Sequence, residues 1–153
     1  VAPETDYVDL LSRSVLFYGA AWNDLAELVP TAKVRKAARG DVILNEGDLV
    51  QGLHILIEGS AEVLKGGIAQ IAFLEAGNFF GEISLFGQSI CATATVRAAS
   101  ECTLLIFGRQ EFDLWLEAHP ASQLRLFRNL ATELCNRLHS TTERYLLGVP
   151  TKS

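Results

Sequence analysis

The stretch Gly77-Asn78-Phe79-Phe80-Gly81-Glu82-Ile83-Ser84-Leu85-Phe86, followed by Ala92-Thr93-Ala94-Thr95-Val96-Arg97-Ala98, decides the fold. It enters through the turn signal Glu75-Ala76-Gly77-Asn78 and leaves through a β-rich run over Ala92–Ala98. Between them, Glu82–Phe86 reads as a short helical turn.

The text on either side agrees. From Thr31 to Phe107, short β-rich runs cover Lys33–Ala37, Val42–Leu44, Leu53–Ile57, Ala61–Lys65, Ile68–Leu74, Ala92–Ala98 and Thr103–Phe107. Arg39-Gly40-Asp41, Glu46-Gly47-Asp48, Glu58-Gly59-Ser60 and Lys65-Gly66-Gly67 separate them, with glycine supplying positive φ cheaply. Gly66-Gly67 reads as a two-residue hairpin loop. Many short strands spaced by turns predict a sandwich, jelly roll or barrel.

Outside this region the period is helical. Val8, Leu11, Val15 and Leu16 mark a first helical piece; Trp22, Leu25, Ala26, Leu28 and Val29 mark a second, ended by Pro30. Gln110–Ala118 is a short helix stopped by His119-Pro120, and Ala121 to about Leu147 is one long helix ended by Gly148-Val149-Pro150. Along it Leu124, Phe127, Ala131, Leu134, Leu138, Thr141 and Tyr145 recur at heptad spacing, the seam of a homodimer. A second row, Leu126 and Leu130, is placed to pack back onto the roll. The expectation is one mainly-β domain over 1–153: N-terminal helices over 1–30, a β-roll over 31–108, then hinge and long helix over 109–147.

Composition bounds the function. The 153-residue chain is 49% hydrophobic and 20% charged, ordinary for a globular domain with its own core. Its 13 Lys and Arg against 18 acids give a net charge of −5, which argues against direct nucleic-acid binding by this segment. No apolar run is long enough to span a bilayer, and no basic-then-apolar leader opens the chain. Absence of any Met makes it read as part of something longer. Cys91, Cys102 and Cys135, widely spaced and without a C-x-x-C pair, fit a reducing cytoplasm and read as small buried or semi-buried hydrophobes. His54, His119 and His139 make no His-x-His metal pattern, and no nucleophile elbow, zincin or P-loop string occurs, so no enzyme is expected.

The quoted stretch resembles the phosphate-binding cassette of the cyclic-nucleotide-binding domains, as in bacterial cyclic-AMP receptor proteins and protein-kinase regulatory subunits. The order of elements is similar over roughly 8–146. The resemblance implies a double-stranded β-roll and a ligand-sensing role, with cAMP or cGMP as the ligand class. It implies that Phe80, Gly81, Glu82, Ile83, Ser84, Ala92 and Thr93 form the site. Gly81 would let backbone approach a cyclic phosphate, Glu82 would accept from the ribose hydroxyl, and Thr93 would lie near the phosphate. One position departs. Aligned on Ala94-Thr95-Val96, the family's phosphate-binding Arg falls on Ala92, and Arg97 lies on the opposite strand face. Loss of one partner from such a pair costs roughly 2–5 kcal/mol. The expected protein is therefore a regulatory effector sensor, of bacterial transcription-factor type, with weakened or altered cyclic-nucleotide binding. The alternative is a ligand-free module for dimerisation or docking.

Overall fold

The computed structural model describes residues 4–86 and 91–146. Helices α1 (Glu4–Ser12) and α2 (Trp22–Leu28) lead through a 3-10 turn at Val29–Thr31 into strands β1 (Lys33–Ala37), β2 (Val42–Leu44), β3 (Leu53–Glu58), β4 (Ser60–Lys65), β5 (Ala69–Glu75) and β6 (Phe79–Phe80). A one-turn helix α3 (Ile83–Phe86) precedes β7 (Thr95–Ala98) and β8 (Cys102–Phe107), and helices α4 (Arg109–Ala118) and α5 (Pro120–Leu146) follow. The strands form two four-stranded antiparallel sheets, β1-β8-β3-β6 and β2-β7-β4-β5. This is a β-roll with flanking helices.

The sheets differ in what they cover. In β3, every residue from Leu53 to Ile57 is buried, because the strand is walled on both faces. Leu53, Ile55 and Ile57 face the helical layer; Leu56 faces the roll interior. The same alternation in β8 sends Leu105 and Phe107 outward to the helices and Leu104 inward. The outer cluster centres on an aromatic knot. Phe17, Phe107, Phe112 and Trp115 lie 5.9–6.2 Å apart between adjacent ring centroids. Full burial of each such side chain contributes about 1.5–3 kcal/mol.

The long helix is fixed at its start. Pro120 opens α5, where its missing N–H costs nothing. His119, at the joint with α4, bonds through Nδ1 to the Trp115 carbonyl at 2.8 Å and through Nε2 to the Glu27 carboxylate. The Trp115 carbonyl, then Glu27 and nearby Asp24, hold the imidazole pKa above its ordinary value. Trp115 Nε1 donates to the Asp24 carbonyl at 2.7 Å, and Ser122 Oγ to its carboxylate at 2.5 Å. Leu126 and Leu130 are buried against the helical layer, and Asn129 Nδ2 donates to the Leu16 and Tyr18 carbonyls at 2.8 and 2.7 Å. The flank of α5 next to them carries Leu124, Phe127, Ala131, Leu134 and Leu138, all exposed; the side chains of Thr141 and Tyr145 lie outside the described residues.

Three local readings are corrected. The β4–β5 hairpin closes Lys65 against Ala69, so its loop is Gly66–Ile68, one residue longer than expected, and Ile68 is solvent-exposed rather than the start of a strand. The run from Ala92 becomes ladder only at Thr95, because Ala92 is tied instead to the β2–β3 connection through Ala92 N–H to Asp48 O at 2.7 Å and Gly47 N–H to Ala92 O at 2.8 Å. Cys91 and Cys135 are exposed; only Cys102 is buried, its thiol donating to Ser60 O at 3.1 Å. Cys91 sits on the arm returning to the roll, at the exposed edge of the hollow described below, and Cys135 follows Leu134 on the exposed flank of α5.

Candidate ligand-binding site

The cassette is seated on β3. Its turn is pinned by Gly77 N–H to Leu56 O at 2.7 Å and Leu56 N–H to Asn78 O at 2.9 Å. That places the two residues of β6 opposite β3, with Phe80 across from His54 and Phe79 across from Ile55. The Phe80 ring stacks on the buried His54 imidazole at 4.7 Å, and His54 Nδ1 lies 3.0 Å from the Gly52 carbonyl oxygen. Burial holds the His54 pKa below its ordinary value, so a neutral ring supports Phe80.

After β6 the chain turns at Gly81, φ +79°. α3 follows, with Ser84 N–H and Leu85 N–H donating to the carbonyls of Gly81 and Glu82 at 3.1 and 3.0 Å. The Ser84 hydroxyl also donates to Gly81 O at 2.6 Å. Across from this arm, Lys65 Nζ donates to Thr93 O and to Glu46 Oε1, both at 2.7 Å, while Gly66 N–H donates to the same carboxylate at 3.0 Å. Lys65 and then Gly66 hold the Glu46 carboxyl below the usual carboxylate range.

A hollow of about 440 Å³ lies between the cassette, the inner face of the β2-β7-β4-β5 sheet and the long helix. Phe80, Gly81, Glu82, Ala92 and Thr93 all line it. Ser84 does not, its hydroxyl being turned to Gly81, and the Ile83 side chain lies outside the described residues. Leu44, Val63, Phe73, Leu74 and Val96 make the apolar wall. Arg97 points away and binds Glu62 at 2.5 and 2.8 Å.

The apolar wall escaped the sequence reading, and so did two charged residues of the lining. Glu133 and Arg137, one turn apart on α5, close the hollow from the helix side. Arg137 Nη2 donates to Phe79 O at 3.1 Å, Nη1 faces Glu82 Oε1 at 3.5 Å, and Nε faces Glu133 Oε1 at 3.3 Å. Its guanidinium lies 4.6 Å over the Phe79 ring. The i,i+4 Glu-Arg pair was the available signal, but such pairs occur on many solvated helix faces. Among the described residues no group of three or more His, Cys, Asp or Glu could hold a metal ion, and no helix is long and apolar enough to cross a membrane.

Known proteins are similar to this chain in sequence or in fold. Glutaminase 1 of Bradyrhizobium diazoefficiens is 33% identical over 128 residues, which cover 84% of this chain and 21% of that protein. A voltage-gated inwardly rectifying potassium channel of Gallus gallus is 33% identical over 122 residues, 79% of this chain and 10% of the channel. The chain thus spans about a fifth or less of the length of these curated relatives. The N-terminal domain of a transcriptional regulator from Streptomyces coelicolor A3(2) matches with a TM-score of 0.71 at 29% identity, covering 84% of this chain and 94% of that one. The Thermus thermophilus catabolite activator protein matches with a TM-score of 0.73 at 25% identity, covering 88% and 62%. The family model described as the cyclic nucleotide-binding domain matches residues 34–119, which hold both sheets, the cassette and α4. With that match, this roll and this cassette, the chain belongs to the cyclic nucleotide-binding domain family.

Proposed function

We propose that the chain is a regulatory, effector-sensing domain of a bacterial transcription-factor-type regulator whose hollow takes cyclic nucleotides only weakly. One observation carries this: the hollow is present and lined by Gly81, Glu82 and Thr93, yet Ala92 stands where the resemblance places the phosphate-binding Arg. The similarity to the Streptomyces coelicolor regulator domain supports the setting. Calorimetric titration with cAMP and cGMP tests the reading. Heat is expected only from tens of micromolar to millimolar ligand, because a site of about 1 μM weakened by roughly 2–5 kcal/mol falls in that range. Micromolar binding by the wild-type chain would overturn it.

Output runs through α5 in this reading. Leu124, Phe127, Leu134 and Leu138 form an exposed apolar row beside the buried Leu126 and Leu130, and a second copy of the chain is its partner. Sedimentation velocity is expected to give a dimer at micromolar concentration and a monomer for Leu134→Glu. A wild-type monomer at high micromolar concentration sinks this part. The second reading, a ligand-free docking module, draws on Arg137 at the mouth of the hollow, a side chain of the chain itself bound to Glu82. It requires that no effector change the stability of the dimer.

A further inference from the structure

We propose that the hollow selects a small organic cation, an apolar body carrying one amine or guanidine group, over an anion of the same shape. This rests on the reading of the hollow as a ligand site and adds the chemistry of what enters it. The chain's own guanidinium shows what the cradle accepts. Around Arg137 stand the carboxylates of Glu82 and Glu133, the Phe79 carbonyl and the Phe79 ring face. Carboxylates, a carbonyl oxygen and a π face are each a partner for a cation and for no anion.

The charge count points the same way. Among the described residues lining the hollow, the ionisable ones that carry charge are Glu82, Glu133 and Arg137, two acids against one base. Ala92, on the cassette arm, adds no cation to offset the excess acid. The Glu82 and Glu133 side chains are only 14% and 23% exposed, so solvent ions screen their excess less than on an open surface. An entering ammonium balances the lining and meets the apolar wall and the Phe73 and Phe79 rings; an entering carboxylate or phosphodiester doubles the imbalance.

A matched trio with one apolar body tests this: phenylpropylamine, phenylpropanol and phenylpropanoate, titrated calorimetrically into the whole chain near neutral pH. The amine is expected to bind at least about tenfold tighter than the carboxylate, with the alcohol between. Glu133→Gln, which balances the lining, is expected to narrow that gap several-fold, and Ala92→Arg to lift the carboxylate relative to the amine. A carboxylate that binds the wild-type chain as tightly as the amine overturns the proposal. If none of the trio binds while Ala92→Arg binds cAMP, the cation assignment falls and the hollow stands as a ligand site. If the trio and cAMP are both silent, the ligand-site reading falls with it.

Discussion

Ala92→Arg is expected to bind cyclic AMP at least about 30-fold more tightly than the wild-type chain, and up to several thousand-fold. The position is prepared for it. Ala92 lines the hollow, and its backbone is held on both sides, by Asp48 O and Gly47 N–H, so a new side chain starts from a fixed Cα. The hollow of about 440 Å³ has room for the extended arginine. A guanidinium there meets an equatorial phosphate oxygen with paired N–H donors, the strongest neutral-pH contact available to an anion. It also balances the two carboxylates against one arginine that otherwise repel a phosphate. Calorimetry on the variant reads the gain directly, and a thermal-shift assay on the free variant shows that it folds. A folded Ala92→Arg protein with no heat on cAMP addition would mean that the cassette has lost more than one contact.

Much of the fold was legible because its signals are local. Lys33–Ala37 and Val42–Leu44 begin and end as strands where the pattern put them, bounded by Arg39-Gly40-Asp41 and Glu46-Gly47-Asp48. The long helix was legible from period and from its Pro at one end. What failed is what depends on contact. β6 is two residues long, too short for any period, and exists because Phe79 and Phe80 pair with β3. Ala92 was singled out from the cassette string, and the structure puts it in the lining of the hollow. The Arg137 that faces Glu82 lies 55 positions along the chain from it, and only the packing of α5 on the roll brings the two together. The exposure of Cys91 and Cys135 was misjudged for a similar reason, since residue type reports average burial and not which wall is near.

Gly81→Ala is expected to destabilise the domain by about 2–4 kcal/mol, which for a chain of this size lowers Tm by roughly 4–16 °C. Two costs combine. The backbone at Gly81 has φ +79°, which an L side chain adopts at a cost of about 1–2 kcal/mol. A Cβ there would also stand 2.5 Å from the Gly52 carbonyl oxygen, 3.1 Å from Val50 Cγ1 and 3.2 Å from His54 Nδ1. The carbonyl cannot retreat easily: it is the hydrogen-bond partner of His54, whose ring supports Phe80. Relief must therefore come from lifting the cassette off β3, which opens the Phe80–His54 stack and displaces Glu82. A control separates the two costs. Gly40 has φ +92°, but a Cβ there would meet nothing within 4 Å, so Gly40→Ala carries the conformational cost alone, about 1–2 kcal/mol. Chemical denaturation of the two variants reads the difference. If Gly81→Ala costs no more than Gly40→Ala, the close approach to Gly52 is not what holds this turn. If it costs more, combining Gly81→Ala with Ala92→Arg is expected to abolish the cAMP binding that Ala92→Arg creates, because the floor that positions Glu82 has moved.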